Sequence, residues 1–135
     1  MAFHVKHRRH PDWLRVRIPS GVTYNRIRTT LKENKINTVC EEAKCPNIAE
    51  CYGRGTATFL IMGDVCTRKC LYCNISSGTP KTLDRQEPGK IADTAKRLNL
   101  DYAVITSVTR DDLPDFGTEH FYNTVTEIRK LRPEC

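Results

Sequence analysis

No apolar run in this chain of 135 residues approaches the roughly 18 residues that mark a membrane-spanning helix. No hydrophobic stretch follows the basic residues at the start, so a secretory signal is not expected. There is no internal repeat and no low-complexity tract. The paired CxxC motifs of a zinc ribbon are missing, and no histidine stands near the cysteines. Aromatics are sparse in the basic N-terminal stretch, with Phe3 and Trp13 alone, which argues against stacking on single-stranded nucleic acid. Without a secretory signal the expected location is the cytoplasm, where thiols stay reduced. The cysteine count of seven is odd, and a disulfide framework would leave one thiol over. What remains is a chain 39% hydrophobic and 28% charged with a net charge of +6, ordinary for a soluble globular protein. Part of the positive excess sits in His4, Lys6, His7, Arg8, Arg9 and His10, which reads as a solvated arm.

Six of the seven cysteines fall in two triplets, Cys40-x4-Cys45-x5-Cys51 and Cys66-x3-Cys70-x2-Cys73. Thiolates select zinc, cuprous copper or iron–sulfur clusters. Structural zinc normally takes four protein ligands, whereas each triplet offers three, leaving one metal position open for another molecule. Cys135 belongs to neither triplet and is expected to be a small buried residue.

Residues 1–12 read as an irregular arm, and Trp13–Gly21 as an extended segment ending in a turn. Thr23 to Asn34 reads as a helix, with Thr23 as its N-cap and Ile27 and Leu31 on one face. The first triplet lies in a polar segment, where Pro46 could open a short helix. Thr56–Gly63 reads as a buried strand, and the second triplet as the loop leaving it. Ile91, Ala95 and Leu98 mark a helix ending near Asn99. Tyr102–Val108 reads as a second buried strand, followed by the TRDDLPDFG loop and a helix from Thr118 to Leu131 with Phe121, Val125, Ile128 and Leu131 on one face. Strand, helix, strand, helix predicts an α/β fold with parallel strands and right-handed crossovers, buried on both faces. Ligands in such folds bind beyond the C-terminal ends of the strands, where the second triplet and the TRDDL loop both fall.

CxxxCxxC after a first strand, with Tyr72 just before the last cysteine, resembles the radical S-adenosylmethionine superfamily. The longer stretch CEEAKCPNIAECYGRGTATFLIMGDVCTRKCLYC, followed by YAVITSVTRDDLPDFG, closely resembles the lipoyl synthase family, and the similarity runs from about Trp13 to about Arg132. The resemblance implies a partial TIM-type barrel, its first βα units over residues 56–135, preceded by an N-terminal cysteine-rich extension over residues 1–55. It implies two [4Fe–4S] clusters. Cys66, Cys70 and Cys73 would hold the one that binds and cleaves S-adenosylmethionine, and Cys40, Cys45 and Cys51 the auxiliary one that donates sulfur. The activity implied is insertion of sulfur at C6 and C8 of an octanoyl chain on a carrier-protein lysine. The carriers would be the E2 component of 2-oxoacid dehydrogenases and the H protein of glycine cleavage. Reduced ferredoxin or flavodoxin would supply electrons, and an iron–sulfur carrier protein would supply clusters. Tyr72, Ser107, Arg110 and Asp112 would contact S-adenosylmethionine, while Arg54, Arg68 and Lys69 would offset cluster charge. No membrane or nucleic-acid partner is implied.

The chain departs from the family in three ways. A complete α/β barrel needs roughly 200 residues or more. The family's auxiliary-cluster serine stands in an Arg-Ser-Ser motif, and Ser20, Ser76, Ser77 and Ser107 all lack that context. Tyr52 and Phe116 replace the commoner tryptophan and glycine. The chain is therefore expected to be an N-terminal part of the enzyme. The competing readings are a non-catalytic iron–sulfur or zinc module and an inactive fragment.

Overall fold

The computed structural model describes residues 11 and 20–135. The arm and the extended segment expected before Ser20 fall outside the described residues, Pro11 apart. Helix α1 spans Val22–Glu33. Its N-cap is Gly21, two residues before Thr23, and the Gly21 carbonyl accepts the Asn25 N–H at 3.0 Å. Thr23 therefore lies inside the helix and caps nothing. The frame is set by the stripe Tyr24, Ile27 and Leu31, all buried. The helix ends in a Schellman motif. Lys35 takes φ 53°, and Ile36 donates to the Leu31 carbonyl at 3.0 Å, placing two buried side chains together across the stop.

Short helices α2 (Val39–Glu42) and α3 (Ile48–Gly53) follow. The first cysteine triplet is thus more helical than its polar composition suggests. Pro46 stands outside α3, which is capped at Asn47. Thr38 does cap α2, its Oγ1 accepting the Glu41 N–H at 3.3 Å.

Strand β1 (Ala57–Ile61) pairs in parallel with the later β4 (Ala103–Ser107), in register from Ala57↔Ala103 to Ile61↔Ser107. Between them come β2 (Val65–Cys66) and β3 (Ser76–Ser77), a small parallel pair, and then α4 (Glu87–Arg97). Helix α5, Thr118–Leu131, closes the chain's ordered elements with the bounds its pattern predicts. The α/β order with parallel strands is as expected.

The two strands differ in burial. Ala57, Phe59, Leu60 and Ile61 of β1 are buried, whereas Val104 of β4 is 36% exposed and no residue of β4 is fully buried. The expectation of burial on both faces therefore holds only for β1. Its free edge is covered by Asn37 and Thr38, with Leu60 N–H donating to the Asn37 carbonyl at 2.9 Å and Thr38 bridging Phe59. Among the described residues β4 has only β1 beside it.

Helix α4 buries Ile91, Ala92, Thr94 and Ala95. It stops at Asn99 (φ 53°) in a second Schellman motif that turns Leu100 into the core. The buried stripe of α5 is His120, Thr124 and Ile128; of the predicted face Ile128 is buried and Phe121, Val125 and Leu131 are half-buried. A polar stripe can point inward because each group is satisfied. His120 Nε2 lies 2.6 Å from Glu87 Oε2, and the Thr124 hydroxyl donates to the His120 carbonyl at 2.8 Å. Gly117, at φ 86°, precedes the helix. A Cβ built there would meet the Met62 thioether, which would have to shift, and the positive φ favours glycine.

Candidate functional site

Each cysteine of the first triplet stands where a short helix ends. Cys45 N–H donates to the Cys40 carbonyl at 3.1 Å, with Lys44 at φ 51° between α2 and the turn. Cys40 and Cys45 are therefore the two positions that a Schellman motif brings side by side. The x4 spacing is the length of that motif. Cys51 repeats the arrangement at the end of α3, where Thr56 N–H donates to its carbonyl at 2.9 Å across Gly55, at φ 74°. Gly55 thus makes the tight turn into β1, whereas Gly53 sits in the helix at ordinary φ. Cys40 is only 8% exposed. Burial pushes its thiol pKa up, and neighbouring Cys45 and Cys51 push in the same direction.

Under these cysteines Tyr52 is fully buried, its hydroxyl 3.0 Å from Thr38 Oγ1 and its ring 5.7 Å from that of Tyr24. Burial drives the Tyr52 phenol well above the usual range. Arg54 pairs with Glu50 on the surface at 2.7 Å.

The second triplet is organised differently. Cys66 closes β2, and its sulfur accepts the N–H of Thr109 at 3.3 Å and of Arg68 at 3.4 Å. Burial raises its thiol pKa, but these donors outweigh it and leave the group below its ordinary value, favouring the thiolate. Thr67 N–H donates to the Thr109 carbonyl at 3.1 Å. Arg68 grips Asp111 through two bonds, Nε–Oδ2 at 2.9 Å and Nη2–Oδ1 at 2.7 Å. The loop after β1 is thus stitched to the loop after β4. Beyond Arg68 the chain stands out in solvent, with Cys70 and Cys73 exposed and joined by one turn, Cys73 N–H to the Cys70 carbonyl at 3.1 Å. Tyr72 is 93% exposed, so it neither shields the cysteines nor packs on them. Among the described residues no three His, Cys, Asp or Glu side chains converge closely enough to enclose a metal ion.

Arg110, only 2% exposed, forks onto its neighbour Asp112 at 2.8 and 2.7 Å and donates to the Met62 carbonyl at 3.1 Å. Met62 follows β1 at φ 69°, and its N–H donates to Glu87 Oε2 at 2.8 Å. Both polar groups of the residue that launches the cysteine loop are thereby met by charged side chains. Arg110, Asp112 and His120 border an open cavity of about 960 Å³, whose lining includes neither Tyr72, Ser107 nor any cysteine. Two of the four residues expected at the cofactor thus share one hollow, and two lie elsewhere.

The Glu87–His120 pair was not legible as a site. Its only trace in the sequence is the spacing of His120, Thr124 and Ile128, which puts a histidine on a helical stripe with a core residue.

Residues 3–45 match the family described as the N-terminal domain of lipoyl synthase of the Radical_SAM family. A lipoyl synthase of Alcanivorax borkumensis is 52% identical over 128 residues, covering 95% of this chain and 39% of that protein. One of Caldicellulosiruptor saccharolyticus is 52% identical over 124 residues, 92% of this chain and 44% of that protein. One of Pseudomonas fluorescens strain Pf0-1 is 54% identical over 123 residues, 91% and 36%. The chain spans about two fifths of the length of these curated relatives. Across nearly all of its length, this sequence is similar to the N-terminal part of lipoyl synthases.

Proposed function

We propose that this chain carries both cysteine triplets of a lipoyl synthase, an enzyme that inserts sulfur at C6 and C8 of a protein-bound octanoyl chain. The reading rests above all on one observation: identity of 52% extends over 95% of the chain, and so over both triplets. Residues 1–55 would form the arm and auxiliary-cluster segment, and residues 56–135 the first βα units of a radical S-adenosylmethionine barrel. The donor set fits two iron–sulfur clusters, since all seven thiols are free and six stand in the two triplets. Cys66, Cys70 and Cys73 would hold the cluster that binds S-adenosylmethionine, and Cys40, Cys45 and Cys51 the auxiliary cluster. When bound, the first supplies radical chemistry for unactivated C–H bonds and the second supplies sulfur.

The protein's own part is positioning and electrostatics. The Thr109 and Arg68 N–H groups aim at the Cys66 sulfur and stabilise negative charge there. Arg68 sets a positive charge beside the same loop. The turn joining Cys70 to Cys73 leaves Tyr72 free to lie against a cofactor that arrives from solvent. Ser107, Arg110 and Asp112 follow at the end of β4 as contacts for the cofactor's methionyl end. Burial of Cys40, with Cys45 and Cys51 beside it, disfavours the Cys40 thiolate, and a bound metal core would offset that.

The carriers would be octanoylated lipoyl domains of 2-oxoacid dehydrogenases and the glycine-cleavage H protein, with reduced ferredoxin or flavodoxin as electron donor, an iron–sulfur carrier protein as cluster source, and the cytoplasm as location. No helix among the described residues is long and apolar enough to cross a membrane.

Anaerobic reconstitution followed by metal analysis tests the proposal. About eight irons per chain are expected for two cubanes, and about four after Cys70→Ala or after Cys45→Ala. One equivalent of zinc with no iron would sink it.

A further inference from the structure

Two adjacent aspartates in the loop after β4 point to different partners. Asp112 closes on Arg110, inside its own loop. Asp111 reaches across to the cysteine loop, where its two oxygens take three bonds. The Thr67 hydroxyl donates at 2.7 Å, and Arg68 donates through Nε and Nη2. Asp111 N–H donates back to Thr67 Oγ1 at 3.2 Å, closing a ring between the loops. Thr67 and Arg68 are the two residues that follow Cys66, so the ring grips the loop on its way to Cys70. Carboxylate–guanidinium forks are the directional form of the ion pair, fixing orientation as well as distance.

We propose that Asp111 is a positioning residue for the loop bearing Cys66, Cys70 and Cys73, and that it fixes where the Arg68 charge stands relative to those sulfurs. The ties divide the labour. Cys66 is also held through backbone alone, by Thr109 N–H on its sulfur and Thr67 N–H on the Thr109 carbonyl. Arg68 has its side-chain anchor in Asp111. Removing the carboxylate frees Arg68, its N–H on the Cys66 sulfur included, and the exposed turn beyond it, while Cys66 keeps the Thr109 N–H. A surface ion pair serving stability alone is weak and dispensable. This one spans the two loops at the C-terminal ends of the parallel strands, where α/β folds act. The inference rests on the assignment of a cluster to this triplet, but its first test does not.

Amide hydrogen exchange on the metal-free chain compares wild type with Asp111→Ala and Asp111→Asn. Exchange at Arg68 and at residue 111 is expected to rise about tenfold in Asp111→Ala and less in Asp111→Asn, which keeps one acceptor, while Ala57–Ile61 stay unchanged. If Asp111→Ala does not fold, Arg68→Gln should release the same amides. No change at these amides, or an equal rise in β1, overturns the proposal. In the iron-loaded chain with Cys45→Ala and Cys51→Ala, the reduced second-triplet cluster should show shifted EPR g values in Asp111→Ala, with a smaller shift in Asp111→Asn. Faster exchange with an unmoved spectrum would make Asp111 structural only. A chain that takes up no iron would refute the cluster assignment and leave the exchange result standing.

Discussion

Cys40, Cys45 and Cys51 stand at helix endings beside a buried tyrosine, whereas Cys66, Cys70 and Cys73 ride on a loop that polar ties hold in place. The first arrangement is built from backbone geometry and apolar burial. The second is built from side-chain and sulfur hydrogen bonds, and its last two cysteines are exposed. The contrast matches the chemistry proposed for each. A set proposed to give up sulfur gains from cysteines held by packing that does not depend on the metal core. A set meant to admit a small molecule to an open metal position has to leave that position reachable. Burial raises the pKa of Cys40, while hydrogen bonds lower that of Cys66, so the same residue type is tuned in opposite directions 26 positions apart.

Tyr52→Ala breaks the first region hardest. Tyr52 is fully buried, stacks near Tyr24 and shares a hydrogen bond with the Thr38 that caps α2. Its removal opens a cavity and strands the Thr38 hydroxyl, at an expected loss of about 3–5 kcal/mol. Urea unfolding should show the midpoint fall accordingly, with iron capacity at the first triplet reduced. A loss under about 1 kcal/mol would mean that packing is not what gathers the first set.

Acid separates the two regions. Asp111 is held below its usual pKa by Arg68 and Thr67, Asp112 by Arg110, and Asp115 by the backbone N–H groups of Glu119 and Gly117 at the start of α5. A depressed folded-state pKa adds stability that is complete above the unfolded value, about 3.9, and is lost as pH falls through the folded one. Beneath the first region Glu42 runs the other way. Burial, with Asp64 and Glu41 nearby, raises its pKa, so it favours the fold when protonated and disfavours it as pH rises through that value. Amide NMR spectra collected from pH 6 down to about pH 3 should therefore move at Thr67, Arg68, Gly117 and Glu119 before Ala57–Ile61 respond. Simultaneous change in both sets would erase the distinction.

The sequence carried the parts of this arrangement that follow from periodicity and spacing. Ile27 and Leu31 marked α1, the apolar run marked β1, and the bounds of α5 fell where the pattern put them. The cysteine grouping was legible because ligand spacing is local. What escaped were features decided by partners far along the chain. Thr23 looked like a cap, but Gly21 starts the helix because the Tyr24–Ile27–Leu31 stripe fixes its frame. The α5 face was read from apolar residues, yet His120 turns inward because Glu87, 33 positions earlier, meets it. The charged TRDD run gave no sign that Asp111 and Asp112 would part company, since that depends on where Arg68 and Arg110 end up.

Lys44→Gly is the mildest change and the sharpest probe of how the first triplet is assembled. Lys44 is exposed and takes φ 51° at the position after α2 where Cys40 and Cys45 meet. A side chain in the left-handed region costs about 1–2 kcal/mol. Glycine removes that strain but regains roughly 0.4–1 kcal/mol of unfolded-state freedom. The net gain is expected to be about 0.5–1 kcal/mol, read as a higher urea midpoint with unchanged iron content. The second region should be indifferent, with the Arg68 and Asp111 amides exchanging at the wild-type rate. A destabilised Lys44→Gly chain would mean that the Cys40–Cys45 pairing depends on the lysine side chain and not on the helix ending, and the two triplets would then be alike in resting on side-chain ties.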